Sequence, residues 1–293
     1  MRIILATALA LALAGTATTG CSSDDGDDSG KIEVVAAFYP LAEVVRQVGG
    51  AHVEVADLTP AGTEPHDLEP STDDVDQIED ADLVVIMGRD FQTAIERVVE
   101  RRDGATLEVL DALGVPKDSN DPHVWLDPIQ MQQIVDAVEV ALAKADPDNA
   151  ATFEANADAY NQQLDALDAN YEQGLGTCKS RIIVTAHEAF GWLAQRYNLD
   201  EHAISGIDPE REPDPRRLAE LADLVREKQI TSVFTEELLS PKIAEALARE
   251  AGVTTEVFDP VESIAKKKQA DGADYLSVMR DNLQTLRAAL VCR

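Results

Sequence analysis

The stretch D-N-A-A-T-F-E-A-N-A-D-A-Y-N-Q-Q-L-D-A-L-D-A-N-Y-E-Q-G, residues 148–174, decides how the chain is organised. It has no proline and no strand-like alternation. Phe153, Ala157, Tyr160, Leu164, Leu167 and Tyr171 recur at spacings of four and three, which places them on one face of a single helix. At the α-helical rise this helix is roughly 40 Å long, enough to cross a lobe. Asp148 is its candidate cap, and Gly174 and Gly176 are its candidate stops. A flexible linker would be rich in Gly, Ser or Pro. This connection is therefore predicted to be stiff.

On both sides of it, strand and helix patterns alternate. The strand candidates before it are Ile32–Phe38, Val53–Leu58, Asp82–Met87 and Thr106–Leu110, with helices over Pro40–Val48, Asp73–Asp80 and Phe91–Arg102. After it come strands at Arg181–Ala186, His202–Ile207, Ile230–Thr235 and Thr254–Phe258. Their helices are Glu188–Tyr197, Pro215–Lys228, Pro241–Ala251 and Asp274–Leu290. The pattern predicts an α/β fold of two lobes with mainly parallel sheets, residues 31–147 and 177–293, bridged by the helix at 148–176.

The N-terminus reads differently. Met1-Arg2 followed by the apolar run Ile3–Gly15 forms an export signal over residues 1–20, too short for a stable membrane span. T-T-G-C (18–21) is similar to a lipobox, which makes Cys21 the candidate lipidation site; Thr18 departs from the leucine usual there, and an ordinary cleaved signal is the alternative. After Cys21, residues 22–30 continue as S-S-D-D-G-D-D-S-G without an apolar residue, so that 21–30 has the composition of a disordered tether. Two further cysteines remain, Cys178 and Cys292. In an exported chain an even pair suggests a disulfide, with two buried thiols as the alternative. The formal charge is −30, from 55 acids against 25 bases. Nucleic-acid binding needs a basic footprint and is excluded; an acidic surface attracts cations.

The chemistry gathers in three segments: G-T-E-P-H-D-L-E-P (62–70), D-P-H-V-W-L-D-P (121–128) and V-T-A-H-E-A-F-G (184–191). Each carries a histidine, His66, His123 or His187, in a loop following a predicted strand. Open α/β sheets bind ligands at the carboxyl ends of their strands. Imidazoles brought together from distant segments suit a borderline divalent metal, and zinc takes about four such ligands in a tetrahedron. Asp259, in V-F-D-P directly after a strand, is the preferred carboxylate ligand. Glu236, in F-T-E-E, is the runner-up, either as ligand or as acceptor for a ligand's free N–H. His52 and His202 lack such settings and read as surface or packing residues. The Lys266–Lys268 run reads as a solvated turn.

These segments, with I-S-G-I-D-P-E-R-E-P (204–213), F-T-E-E-L-L-S-P-K (234–242), L-A-R-E-A-G-V (247–253) and F-D-P-V-E-S (258–263), resemble the ZnuA-like solute-binding lipoproteins of zinc and manganese ABC importers. The similarity covers about residues 32–290. It implies two α/β lobes bridged by a rigid helix, with metal in the cleft between them. It places the ligands at His66, His123, His187 and, where a fourth protein ligand exists, Asp259. It also implies an extracytoplasmic, lipid-anchored receptor, a monomer whose partner is a membrane permease. Many zinc-specific members carry a His-rich loop before the second ligand; here that stretch is only K-D-S-N-D (117–121). The resemblance implies that a histidine at 187 goes with Zn2+ more often than with Mn2+, and three nitrogens against one carboxylate also suit zinc better. A zinc-dependent hydrolase is the rival reading, with Glu236 as base, but no H-E-x-x-H pattern supports it. A surface adhesin is a third.

Overall fold

The apolar runs I-E-V-V-A and L-V-V-I become the two inner strands of a parallel sheet, β1 (Ile32–Ala36) and β3 (Leu83–Ile86). β2 (Val53–Asp57) and β4 (Ala105–Glu108) flank them in the order β2-β1-β3-β4. β3 is buried along its whole length, as befits a strand covered on both faces. In this computed structural model the described residues are Gly30–Arg293. The expected export signal (1–20), Cys21 and the tether up to residue 29 lie outside them.

Helices join the strands as βα units require. α1 (Tyr39–Gly49) takes Pro40 in its first turn and ends at Gly50, whose φ of +55° turns the chain away. α2 (Thr72–Asp80) starts from a reciprocal Ser71–Asp74 capping box. α3 (Thr93–Val99) and α4 (Val109–Ala112) are shorter. The next helix, α5 (Pro128–Ala145), has no counterpart in the sequence reading. Its signals are nonetheless present. Asp127 caps the Ile129 N–H, Pro128 opens the first turn, and Met131, Ile134, Val135, Val138 and Leu142 form the buried stripe.

The long helix is α6 (Ala150–Leu175), about 39 Å at the usual rise. All six residues assigned to its apolar face are buried. Asp148 does not cap it. That residue lies in a single 3₁₀ turn, Pro147–Asn149, which Asp146 caps instead.

Beyond α6 the chain forms β5 (Ile182–Thr185), α7 (Gly191–Tyr197), β6 (Asp200–Ala203), α8 (Pro215–Lys228), β7 (Ser232–Thr235), α9 (Lys242–Ala251), β8 (Thr254–Val257), α10 (Lys266–Ala270) and α11 (Tyr275–Ala289). β5 pairs with β6 and β7 with β8, both in parallel, as two ladders rather than one continuous sheet. The lysine run is exposed as expected, but as the opening turn of α10. Cys178 and Cys292 form a disulfide that ties the start of this lobe to the end of α11.

One buried apolar cluster runs through both lobes. It includes Val34 and Val85 of the first sheet, the α6 face, and Phe190, Phe258 and Tyr275 of the second lobe. A smaller cluster lies under α8 and α9, built from Val184, Ile204, Leu221, Val225, Val233 and Leu247.

Candidate metal centre

Four side chains from four separate loops meet between the lobes. His66 lies in the loop after β2, His123 in the loop before α5, His187 two residues after β5, and Glu262 five residues after β8. One donor atom from each lies within 4.8 Å of all the others. Glu262 Oε1 is 3.3 Å from the Nε2 atoms of His66, His123 and His187. The Nε2 atoms of His123 and His187 are 3.4 Å apart. For zinc bonds of ordinary length, the edge of a tetrahedron of donors is about 3.3–3.4 Å. The four measured edges fit that figure.

Backbone and carboxylates aim the rings. The main-chain N–H of His66 donates to Glu64 (3.0 Å), that of His123 to Asp121 (3.0 Å) and that of His187 to Glu236 (3.1 Å). Two of these carboxylates also hold the ring. Asp121 Oδ1 is 2.8 Å from His123 Nδ1, and Glu236 Oε1 is 2.8 Å from His187 Nδ1. Fixing Nδ1 in this way turns Nε2 towards the centre and makes it a better ligand. Gly191 leaves room for this arrangement, because a Cβ there would stand 2.6 Å from Asp121 Oδ2. His66 has no carboxylate on Nδ1 among the described residues; its ring packs edge-on against Phe91, with centroids 4.6 Å apart.

The Glu262 carboxylate and the side chains of His123 and His187 are almost wholly buried, while His66 retains 8% exposure. Of the four, only His66 lines the open cleft of about 1170 Å³ between the lobes. Burial pushes the Glu262 carboxyl up, but hydrogen bonds from His123, His187 and His66 outweigh it and hold the group well below the usual carboxylate range. Burial likewise favours neutral His187, yet Glu236 and Glu262 raise its pKa well above the ordinary value. His123 is raised in the same manner by Asp121 and Glu262 against the effect of burial. Protons held on these histidines would compete with a cation for the centre.

Asp259, the carboxylate preferred from the sequence, stands outside the group of four. Its Oδ1 accepts from the N–H of Val261 at 2.8 Å, closing a local turn. Burial pushes its pKa up to about 7. Glu236 falls on the acceptor side of its two expected roles, facing His187 Nδ1. Sequence reasoning passed over Glu262 and Asp121, although both lie inside quoted motifs. A carboxylate three residues from the favoured Asp, and one two residues before a ligand histidine, were the available signals.

A family model described as "Zinc-uptake complex component A periplasmic" matches residues 34–289. The chain belongs to the ZnuA family. It is 37% identical over 287 residues to the zinc-binding lipoprotein AdcA of Streptococcus pneumoniae, covering 91% of this chain and 57% of that protein. It therefore spans little more than half the length of that relative. It is 31% identical to the high-affinity zinc uptake system protein ZnuA of Bacillus subtilis, over 99% of this chain and 97% of the relative. The Zn(II)-bound ZnuA-like domain of S. pneumoniae AdcA superposes with a TM-score of 0.78 at 38% identity, covering 89% of this chain and 99% of that domain.

Proposed function

We propose that this protein is an extracytoplasmic receptor that captures Zn2+ and hands it to the permease of an ABC importer. The observation that carries the reading is the buried group of His66, His123, His187 and Glu262, in which four donor–donor separations of 3.3–3.4 Å match the edges of a zinc-sized tetrahedron. Three imidazole nitrogens and one carboxylate suit zinc better than oxygen-preferring manganese. In this reading Asp121 and Glu236 orient two ligands and bind no metal themselves. The zinc-binding names of the relatives support the choice of metal.

The protein works as a binder and not as an enzyme. Catalytic zinc keeps one position open for water, with three protein ligands. Here four protein donors fill the tetrahedron. In this proposal the receptor comprises lobes at 31–147 and 177–293 with the helix at 148–176 between them, preceded by an export signal (1–20) and a tether (21–30). Lipid on Cys21 would hold this monomer at the outer face of the membrane, close to its permease. Elemental analysis of protein purified without added metal, followed by zinc–manganese competition, tests the reading. One zinc per chain, held against excess manganese, is expected. A preference for manganese, or retention of zinc after removal of all three histidines, would refute it.

A further inference from the structure

Glu262 reaches the centre from an unusual piece of backbone. Val261, immediately before it, has φ +57° and is fully buried. β-branched residues rarely adopt this left-handed conformation, so the surroundings must impose it. The turn is held at each peptide. Asp259 Oδ1 accepts from the Val261 N–H at 2.8 Å. Asn282, one-and-a-half turns into α11 from Ser277, clasps Asp259 from both sides. Its Oδ1 accepts from the Asp259 N–H at 2.9 Å, and its Nδ2 donates to the Asp259 carbonyl at 2.7 Å. The Trp125 indole N–H donates to the Pro260 carbonyl at 2.8 Å. Just past Glu262, Ser263 Oγ accepts from the Gly62 N–H at 2.9 Å, joining this turn to the loop that carries His66. Asn282 is 3% exposed and Asp259 6%, so water does not replace these bonds.

We propose that Asn282 and Asp259 are positioning residues: together they lock the turn at Val261 and so present Glu262 as the fourth donor. The inference rests on the zinc-receptor reading and extends it to residues that touch no metal. Asp259 then acts through its hydrogen bond and not through its charge, and Asn282 acts through Asp259. Without the clasp, Val261 relaxes towards the right-handed region and the Glu262 carboxylate swings away from the three histidines.

The test is a cycle of full-length variants titrated with Zn2+ against a chelator and with Co2+ by visible absorption. Asn282→Ala is expected to weaken zinc binding by about 10–100-fold, the usual cost of removing an outer support. Its cobalt spectrum should lose the intensity of a four-coordinate site and match that of Glu262→Ala. In the Glu262→Ala background, adding Asn282→Ala should change affinity by no more than about twofold, since the donor it positions is gone. Asp259→Asn, whose amide oxygen can accept the same N–H, should bind like wild type, whereas Asp259→Ala should behave like Asn282→Ala. Asp259→Asn therefore decides the question even if Asn282→Ala fails to fold. Equal losses from Asn282→Ala with and without Glu262, or a loss in Asp259→Asn as large as in Asp259→Ala, would overturn the inference alone. A wild-type protein that takes up neither metal would end both this inference and the receptor reading.

Discussion

The two lobes supply two donors each, but they hold them differently. In the second lobe, His187 follows β5 by two residues and is gripped at both its main-chain N–H and Nδ1 by Glu236. Glu262 rides on a turn bonded at Asp259, Pro260 and Val261. In the first lobe, His123 is comparably fixed by Asp121, whereas His66 has its main-chain N–H tied to Glu64 and its loop joined to the Glu262 turn at Gly62, but no carboxylate at its Nδ1 among the described residues. His66 is also the donor that faces the cleft. Three of the four side chains are thus held by more bonds than His66, which is the one expected to move most readily. Under the proposed receptor function this division would be useful, because capture and release would require only one ligand to move.

The sharpest way to break this comparison is to remove ligands singly. His187→Ala should abolish tight zinc binding, with a loss above the ~100-fold ceiling typical of outer supports. His66→Ala should cost less affinity and mainly accelerate release, measured by stopped-flow chelator capture. Equal effects from the two variants would erase the distinction. Next in size is Glu236→Gln, which keeps the shape but removes the charge beside His187 Nδ1. It should weaken zinc binding by about 10–100-fold.

Acidity offers a third handle. Zinc must displace protons from His187 and His123, whose pKa values lie above the ordinary range. Affinity should therefore fall as pH drops, by up to about tenfold per unit for each proton displaced. Calorimetry in buffers of different ionisation heat would count those protons. The metal-free protein should respond in the opposite sense on the alkaline side. A histidine raised by its partners stabilises the fold fully below its unfolded pKa, and that contribution fades as pH rises through the raised value. Metal-free thermal stability should decline there, and loading with zinc should remove the decline.

The smallest effect on binding is expected from the disulfide. Cys178 and Cys292 are 114 residues apart, and neither belongs to the group of four donors. Cys178→Ser with Cys292→Ser should lower stability by about 2–5 kcal/mol through the released loop, seen in denaturant titration. Zinc affinity should stay nearly unchanged. A large affinity loss would mean that the preorganised half depends on the far end of α11.

Much of this architecture was legible in the residues. The α6 stripe, seven of the eight strands and the three histidine loops announce themselves through spacing and through where strands end, whereas β6, expected at His202–Ile207, lies at Asp200–Ala203. The misses have physical causes. α5 follows directly on a histidine motif, and its cap, Asp127-Pro128, reads equally as the close of that motif. Glu262 directly follows Val261, whose backbone conformation is one that sequence normally signals with glycine or asparagine. A valine gives no such warning, so the strand-end rule stopped at Asp259. The four strands expected in the second lobe are parallel but form two ladders over a separate small core, a division that depends on tertiary packing.

The shared apolar interior has a consequence for how the molecule comes apart. Residues from β1 through α11 belong to one cluster, so neither half can melt while the other stays intact. A calorimetric scan should show one main endotherm for both lobes. The layer of α8 and α9, resting on its own patch of side chains, is the section whose amides should exchange with solvent before that event.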